Sequence, residues 1–557
     1  MRDIRIILSV ALLAAIGSVA NADDAGCLRG SGTTATQCLL RYQGAVERCR
    51  GRADAACEEA LRVEDGPLDG LLTDTAAAGV VSCGETNATP LGFLSLADIG
   101  AKTAEACQDW AEDGLALATI EPPLGLAAGT AACQRVVAKT LQRLNRNAVV
   151  AFGPRCTAKD FAGQGCDRAA RDARVAVLRR QAERAIAAGC RGAVDAAPLV
   201  DTAITRARHF ALRAFPPNDL GPTAEFGPYP VGIRTLALSD PSRRNVAGTG
   251  PRPVTVEIYY PSTAAAVAGH PKDVATVLGI PVVVTPAYRD VALAADGPYP
   301  LVLFSHGNNG LRIQSFFFAA HLASHGYVVV SPDHHGNTFV DTLADTVDLQ
   351  SATNRPLDMR FLIDTFLAAN AEPGNSFAGA IDAERIGMSG HSFGGYTTFA
   401  LAGGATGLGT FTEPRIKAIL PQAPAAPFAD EFFADITVPT LIIGGSIDET
   451  TPAPQDQQRP FDHLPAGAAV VAYANLVDAG HFTFSDFCEV PRTLLGFLGG
   501  FEEACEPRHL PWRHAHDITN YLALNFFDAT LRGDADALAR LDPERLGTIE
   551  DVLYQRK

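Results

Sequence analysis

The chain has 557 residues, of which 47% are hydrophobic and 19% charged, and its formal net charge is −16. That length calls for more than one domain at roughly 100–200 residues each. The acidic balance excludes nucleic acid and anionic membrane surfaces as principal partners, because both repel a protein of this charge.

Residues 1–22 read as a cleavable signal peptide. Arg2 and Arg5 supply the basic start, residues 6–20 are apolar, and Ala20-Asn21-Ala22 fits the small-x-small cleavage pattern. The apolar run is shorter than the roughly 20 residues a membrane span needs, and no later segment would make a stable span. The mature protein is therefore expected to be secreted or periplasmic. Twelve cysteines agree with export: ten lie between Cys27 and Cys190, and the other two are Cys488 and Cys505. Both groups are even in number, as a disulfide framework requires.

Residues 23–213 are predicted to form a cysteine-rich, all-helical domain. Val137, Leu141, Leu144 and Ala148 repeat at helical spacing, and so do Val175, Leu178, Ala182 and Ile186. A continuous helix between Cys166 and Cys190 would hold them about 36 Å apart, far beyond disulfide reach. An antiparallel hairpin instead pairs Cys156 with Cys166 and Cys133 with Cys190. The arginines at 168, 171, 174, 179, 180 and 184 are interleaved with acids and read as a solvated helix face. This region carries no catalytic constellation, and its expected use is to bind a partner of unknown kind.

Residues 214–227, with prolines at 216, 217 and 222, read as a linker, and residues 228–557 as the catalytic domain. There the pattern changes. Residues 254–260 alternate like a strand, and short apolar runs follow at 301–304, 327–330, 417–420, 440–443 and 470–473. Such runs fit strands buried on both faces of a mostly parallel sheet. Helical stretches at 314–325 and 356–370 lie between them, so the fold class is α/β with helices on both faces. Residues 262–298 and 338–356 read as irregular insertions walling a cleft.

Ligands of an open α/β sheet bind beyond the carboxyl ends of its strands. Gly390-His391-Ser392-Phe393-Gly394 follows an apolar run and precedes a helical one, the context of a nucleophile elbow. Ser305-His306-Gly307-Asn308 follows the run at 301–304, Asp448 the run at 440–443, and His481 the run at 470–477. Serine, aspartate, histidine, each past its own strand, is the triad order of this fold. Ser392 is assigned as nucleophile, His481 as general base and Asp448 as its orienting acid. The backbone N–H groups of Phe393 and Asn308 are assigned to the oxyanion hole. Asp430 and Glu431 are rival acids on a less regular stretch. Asp333-His334-His335 lacks a second histidine pair or thiolate cluster, so neither a metal nor another cofactor is expected.

Four blocks carry a family resemblance: G-H-S-F-G-G at 390–395, P-Y-P-L-V-L-F-S-H-G at 298–307, L-A-S-H-G-Y-V-V-V-S-P-D-H at 322–334, and P-Y-P-V-G-I-R-T-L at 228–236. Together they resemble bacterial predicted dienelactone hydrolases, a group similar to plasma-type platelet-activating-factor acetylhydrolases and, more distantly, to cutinase-like polyester hydrolases. The resemblance covers roughly residues 228–532 and implies an α/β-hydrolase that cleaves carboxylic esters without a cofactor. Two departures limit it. The elbow carries Ser392 where dienelactone hydrolases use cysteine, so lactone hydrolysis is not implied. Residues 419–424 offer no carboxylate where the acetylhydrolases place theirs, which favours the later Asp448. The expectation is a secreted serine esterase acting on short-acyl lipid or phospholipid esters. The alternatives are a cutinase-like polyester hydrolase and a retired hydrolase scaffold that binds rather than cleaves.

Overall fold

A computed structural model describes residues 24–50, 55–63, 66–83, 96–118, 128–157, 159, 165–214, 220–490 and 504–557. The signal-peptide prediction and residues 215–219 of the expected linker lie outside them. The chain divides into two compact units, one of residues 1–219 with 506–514 and one of residues 220–505 with 515–557.

The first unit is helical. Its main helices are α1 (Asp24–Arg50), α2 (Ala55–Arg62), α3 (Pro67–Gly79), α4 (Leu96–Ala118), α5 (Ala128–Phe152), α6 (Arg168–Gly189) and α7 (Ala196–Ala214). All eight periodic residues picked out on α5 and α6 are buried, so the 3.6-residue period did mark the core-facing stripe. Helix α6 runs unbroken between Cys166 and Cys190, started by Asp167, whose side chain accepts the Ala170 N–H at 2.9 Å. The bonds made are therefore Cys156–Cys166 and Cys133–Cys190, each with Cα atoms 4.6 Å apart. Cys27–Cys83 and Cys38–Cys107 tie α1 to the end of α3 and to α4. Arg171 and Arg179 of the arginine-rich face pair with Asp172 and Asp201. No helix among the described residues is long and apolar enough to cross a membrane.

The second unit is built on a ten-stranded sheet of order β12-β11-β10-β9-β8-β6-β7-β2-β1-β5. Its strands are β1 (Val231–Arg244), β2 (Pro251–Pro261), β5 (Ala287–Arg289), β6 (Tyr299–Ser305), β7 (Val328–Pro332), β8 (Ile381–His391), β9 (Ile416–Gln422), β10 (Thr440–Gly445), β11 (Val471–Leu476) and β12 (Val552–Arg556). β7, β6, β8, β9, β10 and β11 are parallel, while β2 and β12 join the flanks antiparallel. Every residue of β6, β7 and β10 is buried, which requires cover on both faces. From β6 the chain passes through α8 (Phe316–Ser324) to β7, then through α9 (Ser351–Ala371) to β8 on the other side of β6. The direction of winding reverses there, and with right-handed crossovers α8 and α9 fall on opposite faces. This is the α/β-hydrolase fold, and the crevice at its switch point opens beyond the carboxyl ends of β6 and β8.

The stretches expected to be irregular are more ordered than their composition suggests. Within 262–298 a two-stranded hairpin forms from β3 (Val274–Val277) and β4 (Ile280–Val284). Helix α9 starts at Ser351, five residues before the predicted start at Pro356. Pro356 forfeits one backbone bond, but the buried face of Met359, Leu362, Ile363 and Phe366 holds the helix around it.

Candidate active site

β8 delivers the chain to Ser392, and α10 (Phe393–Ala400) begins one residue later. The turn is made by Ser392 itself, at φ 57° and ψ −116°, a region that costs a non-glycine residue about 1–3 kcal/mol. Backbone bonds at both its N–H and its carbonyl hold it there. The Ser392 N–H donates to Gln422 O at 3.0 Å, and its carbonyl accepts the N–H groups of Gly395 and Ala425 at 2.8 and 2.9 Å. The crossing is too tight for side chains. A Cβ on Gly394 would lie 1.8 Å from Ser305 O, and one on Gly395 would lie 2.5 Å from Pro424 Cα.

The structure brings Ser392, His481 and Asp448 into one line. Ser392 Oγ is 2.9 Å from His481 Nε2, and His481 Nδ1 is 2.9 Å from Asp448 Oδ2. A carboxylate only accepts, so Nδ1 carries the proton and Nε2 presents its lone pair to the serine. Asp448 Oδ1 is occupied by the N–H groups of Thr450 and Thr451 at 2.9 and 2.7 Å. Asp448 thus caps its own turn and orients the histidine at once. The rival Asp430 begins a short helix at the surface and pairs with Arg459 at 2.8 Å and His463 at 3.3 Å. Glu431 is exposed on the same helix.

The two proposed oxyanion donors flank Ser392. Phe393 is the first residue of α10, so its N–H has no carbonyl one turn back within the helix. Asn308 follows Gly307, where an added Cβ would stand 3.4 Å from Ser392 Cβ. The loop after β6 is therefore pressed against Ser392.

Two side chains not singled out in the sequence join these loops. Gly307 N–H donates to Gln314 Oε1 at 2.9 Å, which turns the Gln314 amide nitrogen toward His391 Nδ1, also at 2.9 Å. His391 Nδ1 must then accept, its proton sits on Nε2, and Nε2–H donates to the carbonyl of His481 at 2.8 Å. Burial, with the charge of His481 as a lesser cause, pushes His391 down to about 3, so it stays neutral. The loop after β6, the turn at Ser392 and the loop carrying His481 are thereby linked through two buried residues. The pattern G-x-S-x-G leaves its second position unspecified, so the role of His391 was not readable from it.

His334 and His335 turn apart. His334 Nδ1–H donates to Asp358 at 2.9 Å inside the core, and His335 Nε2 accepts the Val246 N–H at 3.2 Å near the surface. Burial, then the charge of Arg355, pushes His334 down to about 4. Among the described residues no group of three or more metal-ligating side chains gathers. Beside the loop after β6 runs a narrow groove lined by Leu311, Ile313, Phe316, Phe339, Phe487 and Val490. Its walls are almost wholly apolar, and Phe316 belongs to the aromatic run 316–318 of α8.

Residues 303–493 match the PETase family model, described as PET hydrolase-like. That stretch contains all five residues assigned to the site, and the helical unit lies outside it. Cutinase est1 of Thermobifida alba is 29% identical over 184 residues, covering 33% of this chain and 54% of that protein. Cutinase 1 of Thermobifida cellulosilytica is 26% identical over 200 residues, covering 36% and 64%. A bis(hydroxyethyl) terephthalate hydrolase of Streptomyces coelicolor is 26% identical over 189 residues, covering 34% and 52%. The chain thus spans little more than half the length of the first of these relatives. A ferulic acid esterase structure from Streptomyces cinnamoneus aligns with 59% of this chain and 97% of its own, at 23% identity and a TM-score of 0.44. Of the resemblances read in the sequence, the cutinase-like one, named there as the more distant, is the one these matches carry.

Proposed function

We propose that this protein is an exported serine hydrolase of carboxylic esters, and that its substrates are hydrophobic esters of the polyester type rather than phospholipids. The observation that carries the reading is the unbroken line from Asp448 through His481 to Ser392 Oγ. In this reading His481 Nε2 takes the Ser392 proton as Oγ attacks the ester carbonyl. The tetrahedral oxygen is received by the N–H groups of Phe393 and Asn308. Collapse expels the alcohol, which leaves with the proton from His481. Water, deprotonated by the same imidazole, then attacks the acyl-Ser392 ester and releases the acid. Asp448 holds the imidazole in place and favours its imidazolium form.

Similarity to cutinases and to a bis(hydroxyethyl) terephthalate hydrolase favours the polyester substrate class. The apolar groove beside Asn309 and Gly310 agrees, because none of the described residues lining it carries a cation for a phosphate headgroup. Only the short helix Asp430–Ala434 and turns separate β9 from β10, too little chain for a covering lid. Disulfides in both units accord with an oxidising compartment.

The test compares p-nitrophenyl butyrate, an aliphatic polyester film and a short-acyl phosphatidylcholine as substrates. The wild type is expected to cleave the first two, and Ser392→Ala neither, while keeping the native circular dichroism. Equal turnover by Ser392→Ala would refute the serine mechanism. Cleavage of the phospholipid in preference to the film would refute the substrate class.

A further inference from the structure

Gly307 is gripped at both ends. Its N–H is taken by Gln314, and its carbonyl accepts Arg355 Nη2–H at 2.8 Å; the preceding carbonyl, of His306, accepts Nη1–H at 2.6 Å. Arg355 is fully buried, on the first turns of α9, and its remaining contacts converge on the same place. Nε–H donates to Asn337 Oδ1 at 2.8 Å, and the Asn337 amide donates to Asn308 Oδ1 at 2.8 Å. The guanidinium also lies over the ring of Phe393, 4.5 Å from its centroid. One side chain therefore reaches both residues assigned to the oxyanion hole.

Peptide geometry gives this arrangement a direction. The bond between Gly307 and Asn308 is trans, so its C=O and N–H point opposite ways. With the carbonyl drawn into Arg355, the Asn308 N–H must face away from the guanidinium. A flipped peptide would bury an unpaired N–H against a cation and take from Arg355 Nη2 the carbonyl it donates to, each a costly defect in a dry interior. Electrostatic stabilisation depends on donors aimed before charge develops. A fork that binds two successive carbonyls in a fixed plane suits that task, and an ammonium does not reproduce it.

We propose that Arg355, with Asn337, is a positioning residue that fixes the 307–308 peptide and the Phe393 ring so that both oxyanion donors face the same point. The inference rests on the esterase reading above. It goes beyond it by assigning the orientation of the hole to a buried cation that touches neither substrate nor the reacting atoms. The arrangement is asymmetric. Asn308 is held through its own peptide and its side chain, whereas Phe393 is held by its helix and only steadied through its ring.

The test uses the full-length protein with p-nitrophenyl butyrate and a trifluoromethyl ketone that forms a tetrahedral adduct with the serine. Arg355→Lys keeps the charge but loses the fork. Its kcat is expected to fall by about 10²-fold with KM within about twofold, as for loss of an interaction made in the transition state. Affinity for the ketone should fall in parallel. Asp348→Asn serves as the control for a purely structural effect. It disturbs the same buried ionic cluster through Arg252, 3.1 Å away, without touching the hole, and should lower stability but not kcat. If Arg355→Lys does not fold, Asn337→Leu decides, with an expected kcat loss of roughly tenfold. A folded variant that keeps kcat and ketone affinity at the level of Asp348→Asn would overturn the proposal. If the wild type hydrolyses no ester at all, the esterase reading fails first, and that outcome is read from the wild type alone.

Discussion

Asp448 Oδ1 accepts the backbone N–H of Thr451 at 2.7 Å, so the turn that follows β10 fixes the carboxylate before His481 meets it. Both oxygens of the carboxylate are thereby committed, Oδ1 to the N–H groups of its own turn and Oδ2 to the imidazole and the Thr451 hydroxyl. Asp448→Asn should preserve the turn yet place an amide group against His481 Nδ1 and favour the wrong tautomer. A loss of about 10⁴ in kcat is expected, with little change in melting temperature. Asp430→Asn, which only breaks surface pairs with Arg459 and His463, should leave turnover unchanged. Steady-state kinetics on both variants separates the two acids.

Gly394 is the position least able to carry a side chain. Its Cβ would fall 1.8 Å from the carbonyl oxygen of Ser305, and backbone cannot step aside as a flexible side chain would. Gly394→Ala should cost about 3 kcal/mol or more in urea unfolding, at the upper end of overpacking effects. It should also lower kcat, because the clash pushes α10 and Phe393 away from β6.

The buried neutral imidazole of His391 makes stability depend on acid. Its value of about 3 in the fold lies below the 6.5 of an unfolded histidine, so between these limits the unfolded chain binds the extra proton. Stability is then lost as pH falls from about 6.5 toward 3, by up to about 1.4 kcal/mol per pH unit for this one group. His391→Gln keeps a donor for the His481 carbonyl but cannot titrate. Its stability, followed by urea unfolding between pH 4 and 6, should vary less steeply by about one proton. An unaltered slope would exclude His391 as the source.

Cys488 and Cys505 are joined across a separation of 17 residues, close after the loop that carries His481. Loop closure of that length restricts the unfolded chain by about 3 kcal/mol. Replacing both by serine should lower unfolding stability by about that amount. The hydrogen bond from Phe317 N–H to Asp486, 2.9 Å, anchors the intervening turn independently. Turnover under native conditions should therefore survive.

What the sequence disclosed and what it hid divide along physical lines. The central strands announce themselves because burial on both faces demands unbroken apolar runs, as at 301–304, 327–330 and 440–443. Ser305, Ser392, Asp448 and His481 could then be found by reading just past each run. β1 was harder: beyond Val231–Ile233 its residues are mostly half-buried or exposed, and it contains Asp240 and Pro241. The hairpin of β3 and β4 was missed for the same reason, since it stands apart from the main sheet. Gln314, His391 and Arg355 were invisible for a different reason. A glutamine, a histidine and an arginine carry no periodic signature, and their importance arises from loops that only the folded sheet brings together. The pairings of Cys133, Cys156, Cys166 and Cys190 were accessible because one rigid length, that of α6, forbade the obvious alternative.

The crossover at β6 and β8 also bears on how this molecule loses activity. The groups assigned to the site are spread from Asn308 to His481 along the chain and become neighbours only when β6, β8, β9, β10 and β11 lie side by side. Contacts so distant in sequence form late, after the entropy of closing long loops has been met. Ser392 and His481, in hydrogen-bond contact, are 89 residues apart in the chain. Partial unfolding that opens the middle of the sheet should therefore abolish turnover at one step rather than erode it. Residual activity during a denaturant titration would then track the fraction of intact sheet.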